Sequence, residues 1–429
     1  FIPTFPNTED WANTLTLDNA SYTDTVGNTG TAAESENYMV DDNDPSVSSF
    51  TLSDTALKAG DNATVTLVFS EAVASFSSAD DITVDNGTLA TMTSSDNITW
   101  TGIFTPTNNT EEDNNTLSLT ANSYTDIVGN TGPARQTANY VVDTRAPTVS
   151  SIVISSATGI QNNLLNAGDN VSVTVTFSEA VIVDNSSDTP TLTLAVGDDN
   201  QTATYTSGSG GTTLVFQYTI QAGETDSNGI SIGANVLALN SGTIKDATGN
   251  NATLTHSALT DNASYKVDTT APTANFSAAT DDVGPVRGAL TSGNTTDDTA
   301  LVLSGTNESG SSVMVYNSST QLGAATVTGT SWSYSATVND GTTYQFNVRE
   351  TDLAGNTSNA TSNFAVTGDT TAPTVSSVAI TSATGIQNNL LNAGDVISVT
   401  ATFSENVPVT GTPQLTLVVG GTNRTATYT

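Results

Sequence analysis

The chain has 429 residues, more than one hydrophobic core normally serves, so several domains of roughly 100 to 120 residues are the natural expectation. Its 43 Asp and Glu stand against 8 Lys and Arg, a formal charge of -35, although charged residues make up only 12% of the chain; nucleic acid and anionic lipid would repel such a surface, and divalent cations would be drawn to it. With no cysteine, disulfides, zinc-thiolate sites and thiol chemistry are excluded.

The N-terminal FIPTFPNTED has neither a basic region nor an apolar signal core, and no apolar stretch approaches the roughly 20 residues that span a bilayer. No membrane insertion is expected of this segment. Residues 1–43 read as the C-terminal part of one module, closing on the alternating pair Tyr38 and Val40. Residues 44–143 form the next, with β-runs AGDNATVTLVF, TVDNGTL, ITWTGIF, NTLSLTA and TANYVVD between turn clusters. Residues 144–268 are a longer type, in which SSATGIQNNLLNAGD begins at Ser155. That run returns at Thr381 as TSATGIQNNLLNAGD, so residues 370–429 read as the N-terminal part of a second long-type module, ending on a TATYT that matches the one at Thr202. Between them, residues 269–369 are a different variety with SSVMVYNSST, GTSWSYSATV and ETDLAGNTS. The whole is read as a fragment of a longer polypeptide.

Each joint carries an Asp followed within about four residues by Pro45, Pro147, Pro272 or Pro373, which suits a stiff extended linker. About seven short Val-, Thr- and Ile-rich strands per roughly 100 residues predict an all-β tandem array of Greek-key, immunoglobulin-like β-sandwiches. Trp100, Phe104, Tyr124 and Trp332 are assigned to sandwich cores. VDTTAPT at the joint, AGDN before the second strand, FSEAV at its end and DxxGN near the last hairpin resemble the bacterial immunoglobulin-like repeats of giant biofilm and cell-surface adhesins, over nearly the whole chain.

Acidic residues recur in register. The joints supply Asp41 and Asp44, Asp143, Asp268 and Asp369; FSEAV and FSENV supply Glu71, Glu179 and Glu405, with Glu308 a looser match; the DxxGN turns supply Asp24, Asp126, Asp246 and Asp352. In an immunoglobulin-like sandwich the loop after the second strand and the loop between the last two strands share the pole where the chain enters, so Asp143, Glu179 and Asp246 should converge. Three carboxylates without a basic partner repel, and calcium, which takes 6 to 8 oxygen ligands in tolerant geometry, would resolve that. Asp61, Asp169 and Asp395 of the AGD turns belong to the opposite pole, from which Asp61 could approach the joint at Asp143. The resemblance implies calcium-stiffened joints in general but does not fix each ligand. Turn chemistry alone is the alternative, since Asp caps a turn, Gly takes positive φ and Asn tolerates the left-handed region.

Other chemistry is thinly represented. His256 is the single histidine, so no repeated triad can be built; acidic residues recurring in every module do not make one glycosidase cleft; no P-loop, GxSxG or dinucleotide fingerprint appears. No enzyme is expected. Lys58, Lys245 and Lys266 are not equivalent, which sets aside lysine–asparagine crosslinks. Some 18 Asn-X-Ser/Thr sequons occur, a number that composition largely explains. The leading expectation is a stalk segment of an extracellular adhesin whose partners are the other modules of the same chain, a self-associating matrix and an unknown surface ligand. A glycosylated surface layer, sheath or filament is the alternative, and a lectin module has little support.

Overall fold

The structure, a computed structural model, describes residues 10–285 and 287–429; the expectation for the first nine residues lies outside them. It divides into two compact units, one ending at Thr269 and one of Thr270–Thr429. Sheets account for the regular structure, with a single-turn helix at Ser78–Asp81 the one helix among the described residues. No helix among them is long and apolar enough to cross a membrane.

Two cores occupy the first unit. In the first, Ala63–Phe69 alternates buried and exposed positions, as period-two side-chain geometry demands, and pairs with Val47–Leu52 and Thr99–Pro106 in a four-stranded sheet. Short strands facing it contribute Leu117, Leu119, Tyr140 and Val142, all at most 2% exposed. Phe104 stands edge-on to Tyr140 at 5.2 Å, while Trp100 is only half-buried and meets Phe76 at the core's margin, because its strand emerges toward solvent there. Phe104→Ala is expected to cost about 3–5 kcal/mol through lost burial and the cavity it leaves, read as a lower denaturation midpoint.

The second core is built on Asn170–Asp184, a 15-residue strand that runs straight through FSEAV rather than stopping there. Its first half pairs with Val149–Thr158 and Gly211–Thr219; register breaks between Thr176 and Val181, after which Ile182–Asp184 pairs with Thr243–Lys245. One strand thus passes from one sheet to the other at an irregularity, as corner-turning strands of sandwiches do. The first core has the same crossing in two pieces: Ala63–Phe69 ends, and Val73–Ala74 pairs with Thr125–Asp126. Glu71 and Glu179 sit on these crossings.

In the second unit, two five-stranded sheets enclose Leu301, Leu303, Val315, Phe346, Val348 and Trp332. All three cores share one further pairing. The last strand lies parallel to a short early strand: Tyr140–Asp143 on Ala56–Lys58, Lys266–Asp268 on Leu164–Leu165, and Phe364–Gly368 on Asn294–Thr296. Residues 375–427 form two hairpins. Ile154 is 8% exposed within the second core, whereas Ile380, at the same place in the repeated run, is 66% exposed.

Candidate metal centre

Two groups of three carboxylates converge within the first unit. Asp41, Glu71 and Asp126 each offer an oxygen within 4.8 Å of the others, and so do Asp143, Glu179 and Asp246. The register explains the convergence. Asp126 pairs opposite Val73, two residues past Glu71, and Lys245 pairs opposite Ile182, which sets Asp246 beside the crossing that carries Glu179. The linker is pinned to the same crossing through FSE serines: Ser70 Oγ accepts from Ser46 N at 2.9 Å and Ser178 Oγ from Thr148 N at 3.0 Å, each reciprocated by a backbone bond. The linker Asp lies five residues before each gripped position, at Asp41 and Asp143.

The DxxGN turn shapes the third carboxylate. Gly129 and Gly249 take φ of 105° and 99°, a conformation side-chain-bearing residues avoid, and this aims successive N–H groups at one oxygen. Asp126 Oδ1 accepts from the backbone of Val128, Gly129 and Asn130 at 2.7–3.0 Å; Asp246 Oδ1 accepts from Gly249 N at 2.6 Å, Asn250 N at 2.8 Å and Thr248 Oγ1 at 2.9 Å. The other oxygen takes one bond from the Asn side chain, at 2.7 Å in the first turn and 2.8 Å in the second, and so keeps acceptor capacity toward the cluster. The Asn does not occupy the left-handed region; it ties the joint. Asn130 Nδ2 donates to the Asp41 carbonyl at 3.0 Å and Asn250 Nδ2 to the Asp143 carbonyl at 2.9 Å.

Electrostatics differ within each group. For Asp246, burial pushes the carboxyl up, but the bonds from Asn250, Thr248 and Gly249 outweigh it and hold the group below its ordinary value; Asp126 is held low in the same way. Glu179 lacks such donors and is raised, first by burial and then by the charges of Asp246, Asp143 and Glu111. Arg145, paired with Glu111 at 3.5 Å, is the smallest of the named influences on it. A carboxyl raised in the fold is penalised when it ionises, so in metal-free protein stability falls as pH climbs from 4.5, the ordinary Glu value, through the folded value. The low Asp126 and Asp246 act oppositely, contributing stability that is lost as pH drops below 3.8. Glu179→Gln is expected to flatten the decline on the alkaline side without moving the acid limb, measured as unfolding temperature against pH in chelator.

The remaining acidic residues are placed differently. Asp44 is exposed beside buried Pro45 and stands outside the first group. Asp268 pairs opposite Thr225 at the end of its strand and is half-buried. Asp352 caps its own turn, accepting from Ala354 N, Asn356 N and Asn356 Nδ2, each at 2.9 Å. Asp369 and Glu405 are exposed, although Ser404 grips Thr374 as the other FSE serines grip their linkers. The Asp61 carboxylate is held by Lys58, through N at 3.1 Å and Nζ at 3.3 Å, and Lys58 itself pairs opposite Asp143. The AGD turn touches the next module, with Ala59 N donating to Asn250 Oδ1 at 2.9 Å. Sequence reasoning passed over Asp42, whose Oδ1 is buried without a hydrogen-bond partner in the linker of the first group. Three converging carboxylates, with an orphaned carboxylate oxygen on the next residue of the linker, are a donor set that fits a hard cation.

Residues 41–142 match the family model Big_12 and residues 268–370 match Big_13, both described as bacterial Ig-like domains. No curated protein matches the chain. Among solved structures, the Escherichia coli adhesin FdeC is 13% identical with a TM-score of 0.32, the alignment covering 75% of this chain and 96% of that one. SGBP-B of the Bacteroides ovatus mixed-linkage glucan utilization locus is 12% identical, TM-score 0.15, covering 79% and 73%. Dimeric latent PorU from Porphyromonas gingivalis is 10% identical, TM-score 0.16, covering 76% and 34%. Taken with the sheets and cores above, the two matches identify residues 41–142 and 268–370 as bacterial Ig-like domains within an all-β tandem β-sandwich chain.

Proposed function

We propose that this chain is a stalk segment of a large extracellular adhesin, extending a binding domain from a cell surface and stiffened by calcium at its joints. Bacterial Ig-like domains are structural modules rather than catalytic ones, and their presence in tandem suits a spacer. The observation that carries the calcium reading is the pair of carboxylate groups, Asp41, Glu71, Asp126 and Asp143, Glu179, Asp246, each uniting a linker with the two loops at one pole of the module that follows it. Asp42 is a further candidate ligand of the first site. An ion shared by linker and module removes the linker's freedom and cancels the repulsion that metal-free carboxylates exert on one another.

Titration calorimetry of the full chain tests this reading. Calcium is expected to bind, and Glu71→Gln with Glu179→Gln to abolish the joint sites while leaving the fold intact. Heat unchanged in that double variant would refute the assignment.

A further inference from the structure

The residue two positions before the DxxGN aspartate is buried in every core, and its chemistry differs in one. It is Tyr124 before Asp126 and Ile244 before Asp246, at 0% and 1% exposed; before Asp352 it is Glu350, also 1% exposed. A charged group has taken a core position. Its backbone is fixed on both sides by Ser358, whose Oγ accepts from Glu350 N at 2.9 Å and whose N donates to Glu350 O at 2.8 Å. Oε1 accepts from Glu308 N and from Ser311 Oγ, each at 2.5 Å. Oε2 is buried and has no hydrogen-bond partner.

Asn307, 8% exposed, lies against the same loop. Its Nδ2 donates to Glu308 O at 2.6 Å, Ser311 Oγ at 3.3 Å and Gly329 O at 3.4 Å. That fixes the amide's sense, because the flipped form would set its oxygen against two carbonyls. Asn307 Oδ1 is consequently a second buried acceptor with nothing to accept from. Both side chains bond Ser311, Glu350 through Oε1 and Asn307 through Nδ2, so the two residues that carry the orphan oxygens belong to one hydrogen-bonded group at the 307–311 loop. The two ion pairs among the described residues, Lys58–Asp61 and Arg145–Glu111, lie elsewhere, and neighbouring Arg349 turns to the Ser358 carbonyl at 3.5 Å.

A buried carboxylate oxygen and a buried amide oxygen in one such group, with no protein donor for either, are a hard-oxygen donor set. We propose that Glu350 Oε2 and Asn307 Oδ1 hold a hard divalent cation of the calcium type inside the 269–369 module, water completing its shell. This site is internal to one sandwich and independent of the joint clusters.

Equilibrium dialysis of the full chain against calcium, with metal analysis of the retained protein, counts the ions. Glu350→Gln, and Glu350→Ile as the residue that the 144–268 module carries at this position, are each expected to bind one ion fewer than wild type. The joint double variant, Glu71→Gln with Glu179→Gln, is expected to keep the Glu350 ion, which separates this site from the joints. An ion count in folded Glu350→Gln and Glu350→Ile equal to wild type would overturn the proposal, with a proton or a buried water filling the gap instead. Loss of every ion in the joint double variant would overturn it too.

Discussion

Chelating calcium from the full chain is expected to lower its unfolding temperature by roughly 10 °C for the transition of the 144–268 module. The estimate follows from linkage: free calcium a hundredfold above its dissociation constant stabilises the bound fold by about 2.7 kcal/mol, and a domain of this size shifts about 4 °C per kcal/mol. In metal-free protein Glu179 works against the fold, since it shares a 4.8 Å cluster with Asp143 and Asp246 and is already pushed up by burial and by the charges of Asp246, Asp143 and Glu111. Glu179→Gln should therefore raise the unfolding temperature in chelator and shrink the calcium-dependent rise. Differential scanning calorimetry of both proteins, with calcium and with chelator, reads both effects. A Glu179→Gln variant that keeps the full calcium shift would remove Glu179 from the site.

Asn250→Ala is expected to destabilise the joint by about 2–4 kcal/mol whether or not calcium is present. The side chain is 4% exposed and serves three masters: Nδ2 donates to Asp246 Oδ2 at 2.8 Å and to Asp143 O at 2.9 Å, while Oδ1 accepts from Ala59 N at 2.9 Å. Truncation strands a buried carbonyl and an amide N–H of the preceding module, and each unsatisfied group costs about 1–3 kcal/mol. Hydrogen exchange gives the sharper readout, because the Ala59 amide should lose protection while core amides such as that of Val173 keep theirs. Unaltered Ala59 exchange would mean that the Asn250 contact contributes nothing to the joint.

Much of the architecture was legible from period-two alternation and repeated turn signals. Tyr140 and Val142, or Ala63 through Phe69, could be placed on a buried face from sequence because a strand's side chains alternate whatever its neighbours are. The convergence of Asp143, Glu179 and Asp246 was legible for a topological reason, the shared pole of two loops. What escaped depended on how strands pair. That Asn170–Asp184 changes sheets at an irregularity, and that FSE serines grip the linker, are facts of register, which one-dimensional spacing does not encode. Asn250 was misjudged because Asn in a turn usually advertises backbone tolerance, and here its amide is spent on one bond within the turn and two long-range bonds. The Lys58–Asp61 pair, three residues apart in one turn, went unread because spacing alone does not show which carboxylate a lysine takes. Glu350 was invisible because a carboxylate at a core position looks in sequence like an exposed strand end.

The central claim, that cations at the acidic joints restrict motion between modules, is tested most directly by small-angle X-ray scattering of the full chain at constant ionic strength, with calcium and then with chelator. The account predicts more flexible scattering and altered dimensions once calcium is removed, and recovery when it is restored. Superimposable curves under the two conditions would contradict it.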